Sequence, residues 1–175
     1  MPRSGRMPAW CLALALIAFA PAALSDDLPE YRLKAAFLYN FALFTEWPAS
    51  IGSTLNLCVY GQDPFGKEID ALEGKPVGDR RIVIRRVNSI EGLTVCQVVF
   101  IADPSGDDIS RVLSALRGAT VLIIADAPGA AKQGVALNMS VVKNKITFEA
   151  NLTAARAANL KLSSKLLGLA TEVLQ

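Results

Sequence analysis

YRLKAAFLYNFALFTEWP, residues 31–48, packs Tyr31, Phe37, Tyr39, Phe41, Phe44 and Trp47 into a span of 17 residues. A helix this apolar on more than one face cannot rest on a solvated surface, so it is expected inside a core, against a partner, or both. At helical spacing Leu33, Phe37, Phe41 and Phe44 form one stripe, and Ala36, Tyr39, Leu43 and Trp47 a second. The phenylalanine stripe is the expected core face. The second stripe is the expected contact face, because Tyr and Trp are enriched at interface hot spots. Core burial is the alternative for Tyr39 and for Trp47.

Working outward, the punctuation alternates. Residues 48–53 read as a turn and residues 55–60 as a strand. Asp63-Pro64 then reads as the capped start of a short helix ending at Glu73-Gly74. Residues 81–85 read as a short strand, and residues 96–102 as a nearly continuous apolar one, the pattern of a strand covered on both faces. Residues 107–117 predict an amphipathic helix with Ile109, Val112, Leu113 and Leu116 on one side and Gly118 as its stop. Residues 119–125 give another buried strand. Residues 135–142 and 145–150, joined at Lys143-Asn144, give a hairpin. Residues 152–174 read as two helices joined by an elbow at Leu160-Lys161-Leu162. Asn159 tolerates a left-handed backbone there, and Ser163 can cap the next helix. The β-α-β alternation with a terminal hairpin predicts a three-layer α/β sandwich, a mixed sheet with helices on both faces.

Ahead of the aromatic segment, Arg3 and Arg6 precede an apolar run that ends in Ala23-Leu24-Ser25. This is the pattern of a secretory signal peptide over residues 1–25, leaving residues 26–175 as one exported domain. A retained anchor is the alternative. Cys11 stands at the start of the run, where a lipidated cysteine would not be.

The full chain has 18 basic and 16 acidic residues, and loss of Arg3 and Arg6 leaves 16 of each. A formally neutral domain lacks the long-range field that nucleic acid requires. Cys58 and Cys96 remain, and an even count in an exported chain argues for one disulfide. It would close a loop of roughly 38 residues, worth about 4 kcal/mol. Two buried free thiols in neighbouring strands are the alternative.

No catalytic constellation emerges. The chain has no histidine, which removes Ser-His-Asp and Cys-His arrangements and His-containing zinc sites. GQDPFGK, residues 61–67, has the spacing of a phosphate-binding loop. Glu68, however, replaces the magnesium-binding hydroxyl, Asp63 is negative and Pro64 lacks an N–H, so a structural turn is the expected reading. Asp103, Asp107 and Asp108 cluster in a loop, where Asp107 reads as a helix cap or first-turn acid rather than a calcium ligand. Ser163-Ser164-Lys165 is adjacent in sequence but not on one helix face. No cofactor and no metal are expected.

Four segments carry a resemblance: YRLKAAFLYNFALFTEWP, LNLCVYGQDPFG, CQVVFIA and ITFEANLTAARAANLKLSSKLLGLA. The chain from Pro29 to Leu174 resembles the YfiR-like periplasmic regulators. The resemblance implies a small α/β protein without catalysis that represses an inner-membrane diguanylate cyclase by binding its periplasmic sensor domain. An outer-membrane lipoprotein or redox stress relieves that repression, and cyclic di-GMP is the output. The second cysteine pair that some members carry in the C-terminal third is absent. Asn159 stands where the family usually has Gly before the elbow. Tyr39, Leu43, Trp47, Lys161 and Lys165 are the candidate partner contacts, and a homodimer is a further use of the same apolar faces. The alternative is a periplasmic small-molecule binder, with its pocket at the strand ends near residues 61–65 and 103–105.

Overall fold

The computed structural model describes residue 1, residues 27–102, residue 104 and residues 106–175. The expectations for residues 1–25, for Asp103 and Ser105 and for the Asp107 side chain lie outside what is described. Among the described residues no helix is long and apolar enough to cross a membrane.

An eight-stranded mixed sheet forms the middle layer, in the spatial order β10-β8-β7-β6-β5-β2-β4-β3. Its strands are β2 (Thr54–Tyr60), β3 (Pro76–Val77), β4 (Arg80–Val87), β5 (Val98–Ile101), β6 (Leu122–Ala125), β7 (Leu137–Val142), β8 (Lys145–Asn151) and β10 (Glu172–Leu174). Strands β4, β2, β5, β6 and β7 run parallel. The order of chain progression reverses between β2 and β5.

Side chains alternate across the sheet, and each face is covered. Leu55, Leu57, Val59, Val98, Phe100, Leu122 and Ile124 face the layer of α1 (Asp27–Leu43), α2 (Lys67–Asp70), α5 (Leu152–Ala157) and α6 (Ser164–Leu167). Cys58, Tyr60, Val99, Ile101 and Ile123 face the 3-10 turn Glu91–Val95, α3 (Gly106–Ala115) and α4 (Ala130–Gln133). The fold is therefore the three-layer α/β sandwich that the alternation implies. Cys58 of β2 and Cys96, just before β5, are joined by a disulfide with Cα atoms 6.0 Å apart.

The aromatic segment departs from its reading in two ways. The helix stops at Leu43 rather than continuing towards Pro48. Thr45 Oγ1 donates to the Phe41 carbonyl at 2.7 Å and Trp47 Nε1 to that of Ala42 at 2.9 Å, so side chains satisfy the last-turn acceptors. Thr45–Glu46 then forms β1, paired antiparallel with β9 (Lys161–Leu162). The core face is also rotated from the expected stripe. Lys34, Ala35, Leu38, Phe41, Ala42 and Thr45 are buried, whereas Leu33 is exposed and Phe37 and Phe44 only half-buried.

Two further corrections are local. Asp63 does not cap α2. Its carboxylate accepts from Phe65 N at 2.7 Å and from Arg86 Nε at 2.7 Å, while α2 starts after Gly66, at φ 53°. The C-terminal segment is not simply two helices. The elbow holds, with Asn159 at φ 55° and Ser163 Oγ accepting from Leu166 N, but its Lys161–Leu162 is a strand. The chain then ends as β10, parallel to β8, because residues 172–174 find an open sheet edge.

Candidate functional site

Two regions gather polar and apolar groups at the surface. The first is the C-terminal end of α1 with the elbow. Pairing of Glu46 with Lys161 and Thr45 with Leu162 brings the elbow beside the aromatic segment, and Ser163 N donates to the Phe44 carbonyl at 3.0 Å. Lys165 Nζ stands 4.9 Å from the centre of the Phe44 ring. Leu43 is 41% exposed, an apolar side chain at the end of a helix with no core to fill. Lys161 thus pairs with Glu46 and Lys165 lies beside Phe44, just past the end of α1 that carries Leu43. Trp47 follows in the chain, half-buried, with its indole N–H committed to Ala42.

Tyr39 sits apart. Its hydroxyl donates to the Pro76 carbonyl at 2.9 Å, and Lys75 Nζ lies 5.0 Å from its ring centre. A route back exists through Arg80, whose Nη2 donates to the carbonyls of Pro48 at 3.1 Å and Ile51 at 3.3 Å. Arg80 opposes Val77, the neighbour of Pro76, so the guanidinium clamps the loop after Trp47 to the edge that holds Tyr39. Sequence reasoning did not single out Arg80.

The second region is a cleft of about 530 Å³ at the C-terminal ends of β2, β5 and β6. Tyr31, Lys34, Gln62, Asp63, Pro104 and Asp126 line it. Its position beside the reversal of strand order is where open parallel sheets hold ligands. The Lys34 side chain is 5% exposed, and its Nζ donates to Asp126 Oδ2 at 2.6 Å and Glu30 Oε1 at 2.5 Å. The Tyr31 ring centre is 4.6 Å away. Burial is the strongest influence on Lys34 and lowers its pKa. The hydrogen bonds to Asp126 and then Glu30 outweigh burial, and the ammonium is held above its usual range. At the other wall, hydrogen bonds to Asp63 first and Asp70 second hold the Arg86 guanidinium above its usual range.

The loop of residues 61–67 belongs to this wall. Gly61, at φ 94°, donates to the Val87 carbonyl, and a side chain there would meet the Ala102 carbonyl at 3.4 Å. Asp63, locked to Arg86, stands where phosphates would be cradled, so the loop is a structural turn. The sequence signals for the cleft were a lysine inside an apolar helix, four residues after Glu30, and an aspartate directly after a buried strand. Among the described residues no group of His, Cys, Asp and Glu could hold a metal ion.

Comparison with known proteins gives one family and a set of solved folds. The family model described as YfiR/HmsC-like matches residues 31–171. No curated protein sequence matches. A conserved domain protein from Vibrio cholerae is similar in structure, with TM-score 0.52 and 10% identity over 82% of this chain and 60% of that one. A Streptococcus pneumonia ABC domain solved in complex with L-Trp is similar at TM-score 0.52 and 9% identity, with the same coverage. The chain spans about 60% of the length of both, and at such identity the likeness concerns the fold alone.

Proposed function

The chain belongs to the YfiR/HmsC-like family, and from that premise we propose that it is a periplasmic regulatory binding protein. It represses an inner-membrane diguanylate cyclase through the cyclase's periplasmic sensor domain and thereby lowers cyclic di-GMP signalling. The observation that carries this reading is the family match across residues 31–171. The end of α1 with the elbow supports it, because an exposed Leu43 precedes a segment whose Phe44 ring meets Lys165 and whose Glu46 pairs with Lys161, with a half-buried Trp47 next in the chain. A buried aromatic or aliphatic anchor with a charged rim is the usual anatomy of a protein interface.

Control of this kind needs no chemistry in the repressor. A protein that binds the inactive state of a sensor more tightly than the active one shifts their populations by the ratio of the two affinities. Moving the partner from mostly active to mostly inactive takes a differential of about 10⁴-fold. The test is capture of the purified periplasmic domain of a membrane cyclase from the same host, with cyclic di-GMP measured after deletion of this protein. Binding together with a rise in cyclic di-GMP on deletion is the expected result. No binding and an unchanged level would end this reading.

The cleft over Lys34 favours a second reading, a periplasmic small-molecule binder. Its support is the cavity at the strand ends, with a buried charge cluster on its wall. The ABC domain similar in fold was itself solved with L-Trp. A ligand-induced rise in melting temperature without any partner protein is its signature, and loss of that rise in Asp126→Asn places the ligand in the cleft.

A further inference from the structure

Strands β7 and β8 leave the sheet together. The last pair that joins β7 to β6 is Asn138 with Ala125, yet β7 runs on to Val142. On the other side, β10 meets β8 only at Glu149, Ala150 and Asn151. Among the described residues, 139–142 therefore have only β8 beside them in the sheet, and at strand rise they reach about 13 Å past the last pair with β6. Lys143 and Asn144, at φ 49° and 59°, close the tip as a two-residue turn whose twist suits the ribbon.

The end of this ribbon is both apolar and basic. Val141 and Val142 are 47% and 50% exposed, and Lys143 and Lys145 beside them are exposed as well. Among the described residues neither lysine forms a salt bridge. On the α1 face the Phe37 ring lies 6.2 Å from that of Phe148, and Ile146, two residues nearer the tip, still packs partly against the core. One turn before Phe37, Leu33 is 49% exposed, with exposed Arg32 beside it. Val141, opposite Ile146, is on the face that α1 covers further down, and Val142 is on the reverse face.

We infer that the β7–β8 tip seats the protein on an anionic lipid surface, the valines entering the headgroup boundary and Lys143 and Lys145 meeting lipid phosphates. Valines on both faces of a projecting tip suit a medium that closes around it, and the adjacent lysines select a negative one. Arg32 and Leu33 extend the same character along the α1 side. The inference goes beyond the regulator reading and does not depend on it.

The test is co-sedimentation of the mature protein with vesicles of phosphatidylglycerol and phosphatidylcholine, against phosphatidylcholine alone. Binding to the anionic vesicles only, weakened by salt, is expected. Each of Lys143→Gln and Lys145→Gln lowers it about fivefold, and Val141→Ser with Val142→Ser lowers it further at low salt, with the melting temperature kept. The lysine variants carry the test if the valine pair unfolds, since both lysines are exposed. No sedimentation with anionic vesicles, or equal binding by the lysine variants, overturns the inference. So does dimerisation abolished by the valine changes without any vesicle binding, which would make the tip a self-association surface.

Discussion

Lys34 Nζ lies 2.6 Å from Asp126 Oδ2, tying α1 to the residue that follows β6 in the floor of the cleft. Removing one member of a buried pair strands the other charge, so Asp126→Ala should cost about 2–4 kcal/mol, with Glu30 softening the loss. Lys34→Met should cost somewhat less, because the Asp126 carboxylate it strands is 10% exposed against 5% for the Lys34 side chain and is more easily rehydrated. Chemical denaturation of the two single variants and the double one measures this. Equal and additive costs would contradict the pairing.

The same pair predicts a pH dependence. Lys34 has a folded-state pKa raised above its ordinary 10.5. Its contribution to stability is therefore complete below that value and is lost as pH rises through the folded-state pKa. The denaturation midpoint should fall on the alkaline side more steeply in the native chain than in Lys34→Met. Parallel pH profiles would exclude Lys34 as the source.

Cys58 is fully buried and Cys96 is 2% exposed, so a reductant must wait for the structure to open. The native protein should resist dithiothreitol until denaturant is added, as thiol labelling would show. Cys58→Ala with Cys96→Ala should cost about 4 kcal/mol. Rapid reduction under native conditions would instead mark the bond as redox-responsive.

Asn159 turns the chain into the elbow at φ 55°. Asn159→Ala should lose about 1–2 kcal/mol, since a Cβ disfavours the left-handed region, while Asn159→Gly should be near neutral. Thermal melts decide it. An innocuous alanine would mean that the elbow is not held in this conformation in solution.

For the regulator reading, Leu43→Asp is the most telling variant, because Leu43 is exposed and its change should leave the melting temperature nearly unmoved. Affinity for the cyclase domain should fall at least tenfold, the usual loss at an interface anchor. Lys161→Glu and Lys165→Glu should slow association, and more strongly at low salt. Trp47→Ala is less clean, since the indole also holds the Ala42 carbonyl.

Elements with strong local signals were readable. The apolar run at residues 96–102, the amphipathic pattern at 107–117 and the hairpin at Lys143-Asn144 all stand near where they were expected. So does the elbow, because left-handed tolerance at Asn159 and capping by Ser163 are properties of single residues. Misreadings fell where distant groups compete. Phe44, Thr45 and Glu46 continue a helical pattern, but pairing with Lys161–Leu162 draws them out of it. Asp63 has the chemistry of a cap, but Arg86, twenty-three residues away, holds its carboxylate. Of the expected core stripe Phe41 is fully buried, Phe37 and Phe44 pack only partly and Leu33 is exposed. The sheet instead accepts Ala35, Leu38 and Ala42, whose size allows close approach.

The sequence alone determined the layered α/β class, the pairing partners available for two cysteines, and the absence of histidine chemistry, since these follow from composition and local periodicity. Which way the aromatic helix faces, where it ends, that Lys34 meets Asp126 and that the hairpin runs on past its last pair with β6 were decided only by the tertiary structure. Each depends on contacts between residues far apart in the chain, and no local preference records them. The aromatic segment was readable as a helix in need of burial. Only its neighbours in space fixed Leu38 and Phe41 as core and left Leu33 and Leu43 outside.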